Sequence, residues 1–205
     1  AHIRGGMEKG KKWYENGKKK NKLNSFKDFI TCAEFLKKEN ISKNITIHGG
    51  SAGGLLIGAS LNMSPDTFHC AVAEVPFVDV LNTILDDTLP LTPPEWEEWG
   101  NPIKNKSDFD YIGSYSPYDN IKEQNYPTIL ATSGLTDPRV TYWEATKWIA
   151  KLRSKKTNDN PLFLKTYTEA GHGGMAGRYN QIKETAFIYA FILWRNNLIK
   201  RPFTR

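Results

Sequence analysis

Three residues of this chain are of the types that together hydrolyse an acyl bond, and they occur in the order Ser51, Asp137, His172. A serine hydroxyl is a poor nucleophile until a base takes its proton. An imidazole serves as that base when a carboxylate fixes its tautomer and stabilises the imidazolium. Ser51 stands in Gly49-Gly50-Ser51-Ala52-Gly53, a GxSxG pattern, between the β-branched run Ile45-Thr46-Ile47 and the small, apolar run Gly54-Leu55-Leu56-Ile57-Gly58-Ala59. Strand, sharp turn and helix form the context that lifts a serine Oγ clear of a sheet edge. The flanking glycines are expected where strand and helix backbones come too close for a Cβ on either neighbour. A phosphate-binding glycine loop is the rival reading of such a stretch, and the later Asp and His favour the nucleophile.

The elements that must position these residues alternate between short apolar runs and helix-period segments. Ala1-His2-Ile3 reads as the stub of a strand, followed by a charged loop to Asn24. Apolar spacing then predicts a crossover helix over 25–39, the elbow strand over 45–48 and the elbow helix from Ala52 to about Met63, which Pro65 ends. A strand over 70–75 precedes a helix from Phe77 to Leu85. Residues 86–126 break the pattern with clustered prolines and tryptophans, and read as a long irregular excursion of the kind that is usually functional. A strand over 127–132 delivers Asp137, a helix spans 140–153, a strand over 162–167 delivers the glycine-rich loop with His172, and an apolar helix closes at 178–196. Such alternation implies a mainly parallel, doubly wound α/β sheet with Ser51, Asp137 and His172 all on its carboxyl edge. The order Ser, Asp, His is that of the α/β-hydrolase fold.

Composition removes several other classes. With 205 residues, 39% hydrophobic and 12% aromatic, the chain suits one packed α/β domain and is not disordered. The net charge of +6 owes much to Lys9, Lys11, Lys12, Lys18, Lys19, Lys20 and Lys22. No nucleic-acid motif accompanies that run, so it reads as a solvated lysine-rich loop, with neither nucleic acid nor membrane as partner. Cys32 and Cys70 lack metal-ligand spacing and read as small buried thiols of a reducing, cytoplasmic compartment. His2, His48, His69 and His172 are scattered, so no metal and no cofactor is expected.

Longer stretches narrow the reading. His2-Ile3-Arg4-Gly5-Gly6, Gly50-Ser51-Ala52-Gly53-Gly54-Leu55, Val75-Pro76-Phe77-Val78-Asp79-Val80, the segment 86–102, Ser114-Tyr115-Ser116-Pro117-Tyr118-Asp119-Asn120, Asp137-Pro138-Arg139-Val140 and Gly171-His172-Gly173-Gly174 carry a resemblance that spans nearly the whole chain. The sequence resembles the prolyl oligopeptidase family of serine peptidases, and within it the oligopeptidase B group. The resemblance implies an endopeptidase of short peptides, cutting after Arg or Lys, with Ser51, Asp137 and His172 as its triad. It implies that Glu95 and Glu97 supply negative charge to the pocket for the P1 side chain, that Phe77 lines that pocket, and that Arg139 bonds a substrate carbonyl. It implies further that the Ala52 N–H and an upstream tyrosine hydroxyl form the oxyanion hole. On this likeness residues 1–205 are the C-terminal part of the catalytic domain, with its first strands and a gating β-propeller domain preceding them.

One residue departs from the pattern. Glu74 places a charge in a strand expected to be buried, and such a charge needs a partner. Two rival functions are a prolyl oligopeptidase or esterase of the same fold, which would have an apolar pocket in place of Glu95 and Glu97, and a catalytically silent binding module. The intact Ser51, Asp137 and His172 argue against the second.

Overall fold

The computed structural model describes residues 1–200. In chain order its helices are α1 (Lys11–Glu15), α2 (Leu23–Lys38), α3 (Ala52–Met63), α4 (Val80–Leu85), α5 (Thr92–Trp99), α6 (Lys106–Tyr115), α7 (Tyr142–Lys155) and α8 (Arg178–Arg195). The strands β1 (Thr46–Gly50), β2 (Cys70–Glu74), β3 (Thr128–Gly134) and β4 (Leu162–Tyr167) form one sheet in the order β1-β2-β3-β4, every pair parallel. Side chains alternate between its faces. Ile47, Ala71, Ala73, Ile129 and Ala131 pack with Ile57 and Leu61 of α3, Trp148 and Ile149 of α7, and Ile30 and Ala33 of α2. Cys70, Val72 and Leu130 meet Ile188 and Phe191 of α8 on the other face. This is a parallel α/β sheet with helices on both faces, the architecture the alternating pattern predicts.

Four local readings change. Ala1-His2-Ile3 is not a strand, and only an isolated bridge between Arg4 and Gly6 forms nearby. The lysine-rich segment is not a free loop: it contains α1 and folds against α5, where Lys19 pairs with Glu97 at 2.9 Å and Lys22 lies 3.6 Å from Glu98 and 4.6 Å above the Trp99 ring. Burial pushes the Lys22 ammonium below its ordinary range, and Glu98 pulls it back up. Cys70 is buried as expected, but Cys32 faces solvent because it falls on the outer side of α2. The segment 86–126 is irregular only in part, since it contains α5 and α6. Pro93 and Pro94 fall in the first turn of α5, where a helix does not use its N–H groups. Asn105 caps α6 by accepting the Ser107 N–H at 2.9 Å.

These helices build a second apolar cluster over α3. Leu55 and Ala59 of α3 pack with Phe77, Val80, Ile84, Trp99, Ile112, Tyr115 and Val140. The insertion is therefore seated on the elbow helix, and this holds its residues beside Ser51.

Candidate active site

The sheet register brings three strand ends to one edge. Gly50 pairs with Glu74, Glu74 with Thr132 and Gly134 with Tyr167, so the turns after β1, β3 and β4 open together. Ser51 follows β1 directly and has φ 54° and ψ −121°, a conformation that a residue with a Cβ rarely adopts. Hydrogen bonds lock it on both sides. Its N–H donates to the Glu74 carbonyl at 2.9 Å, and its carbonyl accepts from Gly54 at 2.8 Å and Phe77 at 3.0 Å. A Cβ on Gly49 would lie 2.5 Å from the Gly53 carbonyl oxygen, and one on Gly54 2.4 Å from Pro76, so both positions require glycine. Gly53 itself has open space where a Cβ would go, contrary to the expectation that both flanking glycines are crowded.

Asp137 lies just past β3, its side chain fully buried at 0% exposure, with Oδ1 accepting the Arg139 N–H at 2.8 Å and the Val140 N–H at 3.0 Å. Its Oδ2 stands 2.7 Å from His172 Nδ1, whose ring keeps 19% exposure. The backbone donors fix the carboxylate, and the carboxylate fixes the ring with Nε2 free to act as a base. Ser51 and His172 border the same cleft of about 330 Å³, which Glu74, Tyr167 and Glu184 also line. The Ser51 hydroxyl makes no hydrogen bond among the described residues. Unliganded sites often close the nucleophile–base bond only when substrate arrives.

Ser51 also borders a second cleft. Ala52, Phe77, Thr83, Glu95, Trp99 and Arg139 are among the residues that line it. Trp99 donates its indole N–H to Glu95 Oε2 at 2.7 Å and its ring sits 5.6 Å from Phe77, so one aromatic both holds the carboxylate and builds the wall. Phe77 is not helical, since α4 begins only at Val80. Ala52 opens α3, where backbone N–H groups have no carbonyl of their own helix to bond.

Glu97 is not brought to this cleft. Residues 95 and 97 lie on nearly opposite faces of a helix, and Glu97 points outward with 86% of its side chain exposed, paired to Lys19. Glu74, the charge without an evident partner, finds one in His48, whose Nε2 is 2.5 Å from its Oε1, both side chains being partly exposed. Trp99 was not singled out by sequence reasoning, though its spacing four residues after Glu95 on a helix was a usable signal.

Residues 1–197 match the prolyl oligopeptidase family. The chain belongs to that family. It is 51% identical to Protease 2 of Moraxella lacunata and 48% identical to dipeptidyl aminopeptidase BI of Pseudoxanthomonas mexicana, in each case over 94% of this chain. It spans 28% of the length of the first and 27% of the second. Its fold superposes on the structure of oligopeptidase B from Leishmania major with a TM-score of 0.92 at 50% identity, covering 95% of this chain and 27% of that one. Two of these relatives carry names for different peptidase activities, so likeness alone does not choose a cleavage preference.

Proposed function

We propose that this chain is the catalytic part of a serine oligopeptidase that cleaves short peptides after Arg or Lys. The observation that carries the reading is the cleft that puts the Glu95 carboxylate and the Ser51 elbow on one wall-to-wall surface. A guanidinium or ammonium can leave water only for a site that pairs it, and a half-buried carboxylate among Phe77 and Trp99 suits that task. An apolar pocket for proline or a neutral acyl group would have no use for Glu95.

In this mechanism His172 Nε2 takes the Ser51 proton as Oγ attacks the scissile carbonyl, and Asp137 stabilises the imidazolium. The oxyanion is received by the Ala52 N–H together with an upstream tyrosine hydroxyl, and Arg139 bonds a substrate carbonyl. His172 then protonates the leaving amine, and water hydrolyses the acyl-enzyme by the same steps in reverse. Glu97 has no part in it. A propeller domain elsewhere in the full-length protein would restrict entry to short peptides.

Ser51→Ala in the full-length protein tests the reading. Turnover of an arginyl amide is expected to fall by about 10⁶-fold, and labelling by a fluorophosphonate to vanish, while binding of the peptide persists. Activity within tenfold of wild type would overturn it.

A further inference from the structure

Residues 77–79, of which Phe77 lines the Glu95 cleft, belong to neither a helix nor a strand. Their buried backbone N–H groups therefore need acceptors from elsewhere. Phe77 donates to the Ser51 carbonyl at 3.0 Å, which registers the wall against the nucleophile's own backbone. The next two donors, Val78 N–H and Asp79 N–H, both go to Glu144 Oε2 at 2.9 Å. The other carboxylate oxygen, Oε1, accepts the Thr83 hydroxyl at 2.7 Å.

Glu144 is fully buried, at 0% exposure, in the first turn of α7, just after the loop that carries Asp137, Arg139 and Val140. Thr83 also faces the cleft, and its carbonyl accepts the Thr92 hydroxyl at 2.8 Å at the start of α5, the helix that bears Glu95. The carboxylate thus ties α7 to residues 78–79 and to Thr83, and Thr83 passes the link on to the Glu95 helix. A buried carboxylate without a cation of its own is an unfavourable way to fill space. The neighbouring ammonium, Lys147 Nζ, is bonded to Asp79 at 2.5 Å, and Asp79 also accepts from Asn82 at 2.7 Å. What Glu144 supplies that an apolar side chain could not is three fixed acceptor contacts.

We propose that Glu144 is the positioning residue of the P1 cleft, setting the distance between the Phe77 wall, Glu95 and the Ser51–His172 edge. It does not touch substrate, and the proposal rests on the peptidase reading above. Its effect therefore falls on recognition of the P1 side chain and not on the reactivity of Ser51.

The test compares wild type, Glu144→Gln, Glu144→Asp and Glu144→Ala in the full-length protein, with arginyl and neutral-P1 amides and with fluorophosphonate labelling rates. The Gln amide oxygen can accept the same N–H pair and its NH₂ can donate to Thr83, so Glu144→Gln is expected to stay within a few-fold of wild type. Asp withdraws the oxygens, and Ala removes them. Both are expected to raise KM for the arginyl amide by about tenfold, with kcat and labelling rate little changed. If Glu144→Ala does not fold, Glu144→Asp carries the test. Unchanged KM in the folded variants would overturn the proposal, as would equal losses in KM, kcat and labelling, which would mean general damage to the fold. If wild type cleaves nothing, or Ser51→Ala still cleaves, the peptidase reading fails instead.

Discussion

Glu95 and Glu97 show how much a single side chain's direction decides. Both are acidic, both sit on α5, and only Glu95 reaches the cleft with Ser51. Glu95→Gln turns a charge-assisted contact with an Arg or Lys side chain into a neutral one while keeping an acceptor for the Trp99 indole. Removing one partner of a desolvated charge pair costs about 2 kcal/mol or more, so kcat/KM for an arginyl amide is expected to fall at least ~30-fold, with little change for a neutral P1. Glu97→Gln loses only a solvent-exposed, water-screened pair with Lys19 and should leave both rates alone. Steady-state kinetics on the two variants separates them. An unchanged Arg-to-neutral ratio in Glu95→Gln would place the P1 pocket elsewhere.

Glu144 ties the start of α7 to residues 78–79 and to Thr83 of α4, whose carbonyl in turn holds the start of α5. Burial pushes its carboxyl up to about 7, with Asp79 adding to the rise and the donors from Val78, Asp79 and Thr83 opposing it. The folded state thus holds this proton more tightly than the unfolded chain, whose carboxyl titrates in the ordinary range. Stability from this group is fully present below the unfolded value and is lost as pH rises through the folded one. Over that window the loss amounts to about 3 kcal/mol. Glu144→Gln cannot titrate, so the unfolding midpoint of wild type relative to this variant is expected to decline between pH 5 and 7.5. A constant difference across that range, measured in the full-length protein, would show that Glu144 does not change its protonation on unfolding.

Taken as a whole, the molecule has an open side. Among the described residues β1 pairs only with β2, which leaves its outer edge free to accept another strand. On α8, Tyr179, Ile182, Tyr189 and Leu193 form an exposed apolar stripe. Residues 1–205 expressed alone are therefore expected to self-associate and to turn over an arginyl amide at least ~100-fold more slowly than the full-length protein, since one oxyanion donor is expected upstream. Sedimentation velocity and a side-by-side assay check this. A monomer with comparable turnover would show that β1 and the α8 stripe need no further cover and that Ala52 suffices.

Much of the site was legible in the chain because its signals are local. A GxSxG between a β-branched run and a small apolar run fixes Ser51 on an elbow, and strand runs ending just before Asp137 and His172 fix the edge on which they emerge. Tertiary packing decided the rest. Helix formation in the proline-rich segment depends on a seat over α3, Cys32 and Glu97 face outward because of the side of the helix on which they fall, and Glu74 meets His48 only because β1 and β2 are neighbours. Glu144 is the furthest case. In sequence it is one more charge in a helix, and its three acceptor bonds reach residues more than 60 positions away, so no local pattern could register them.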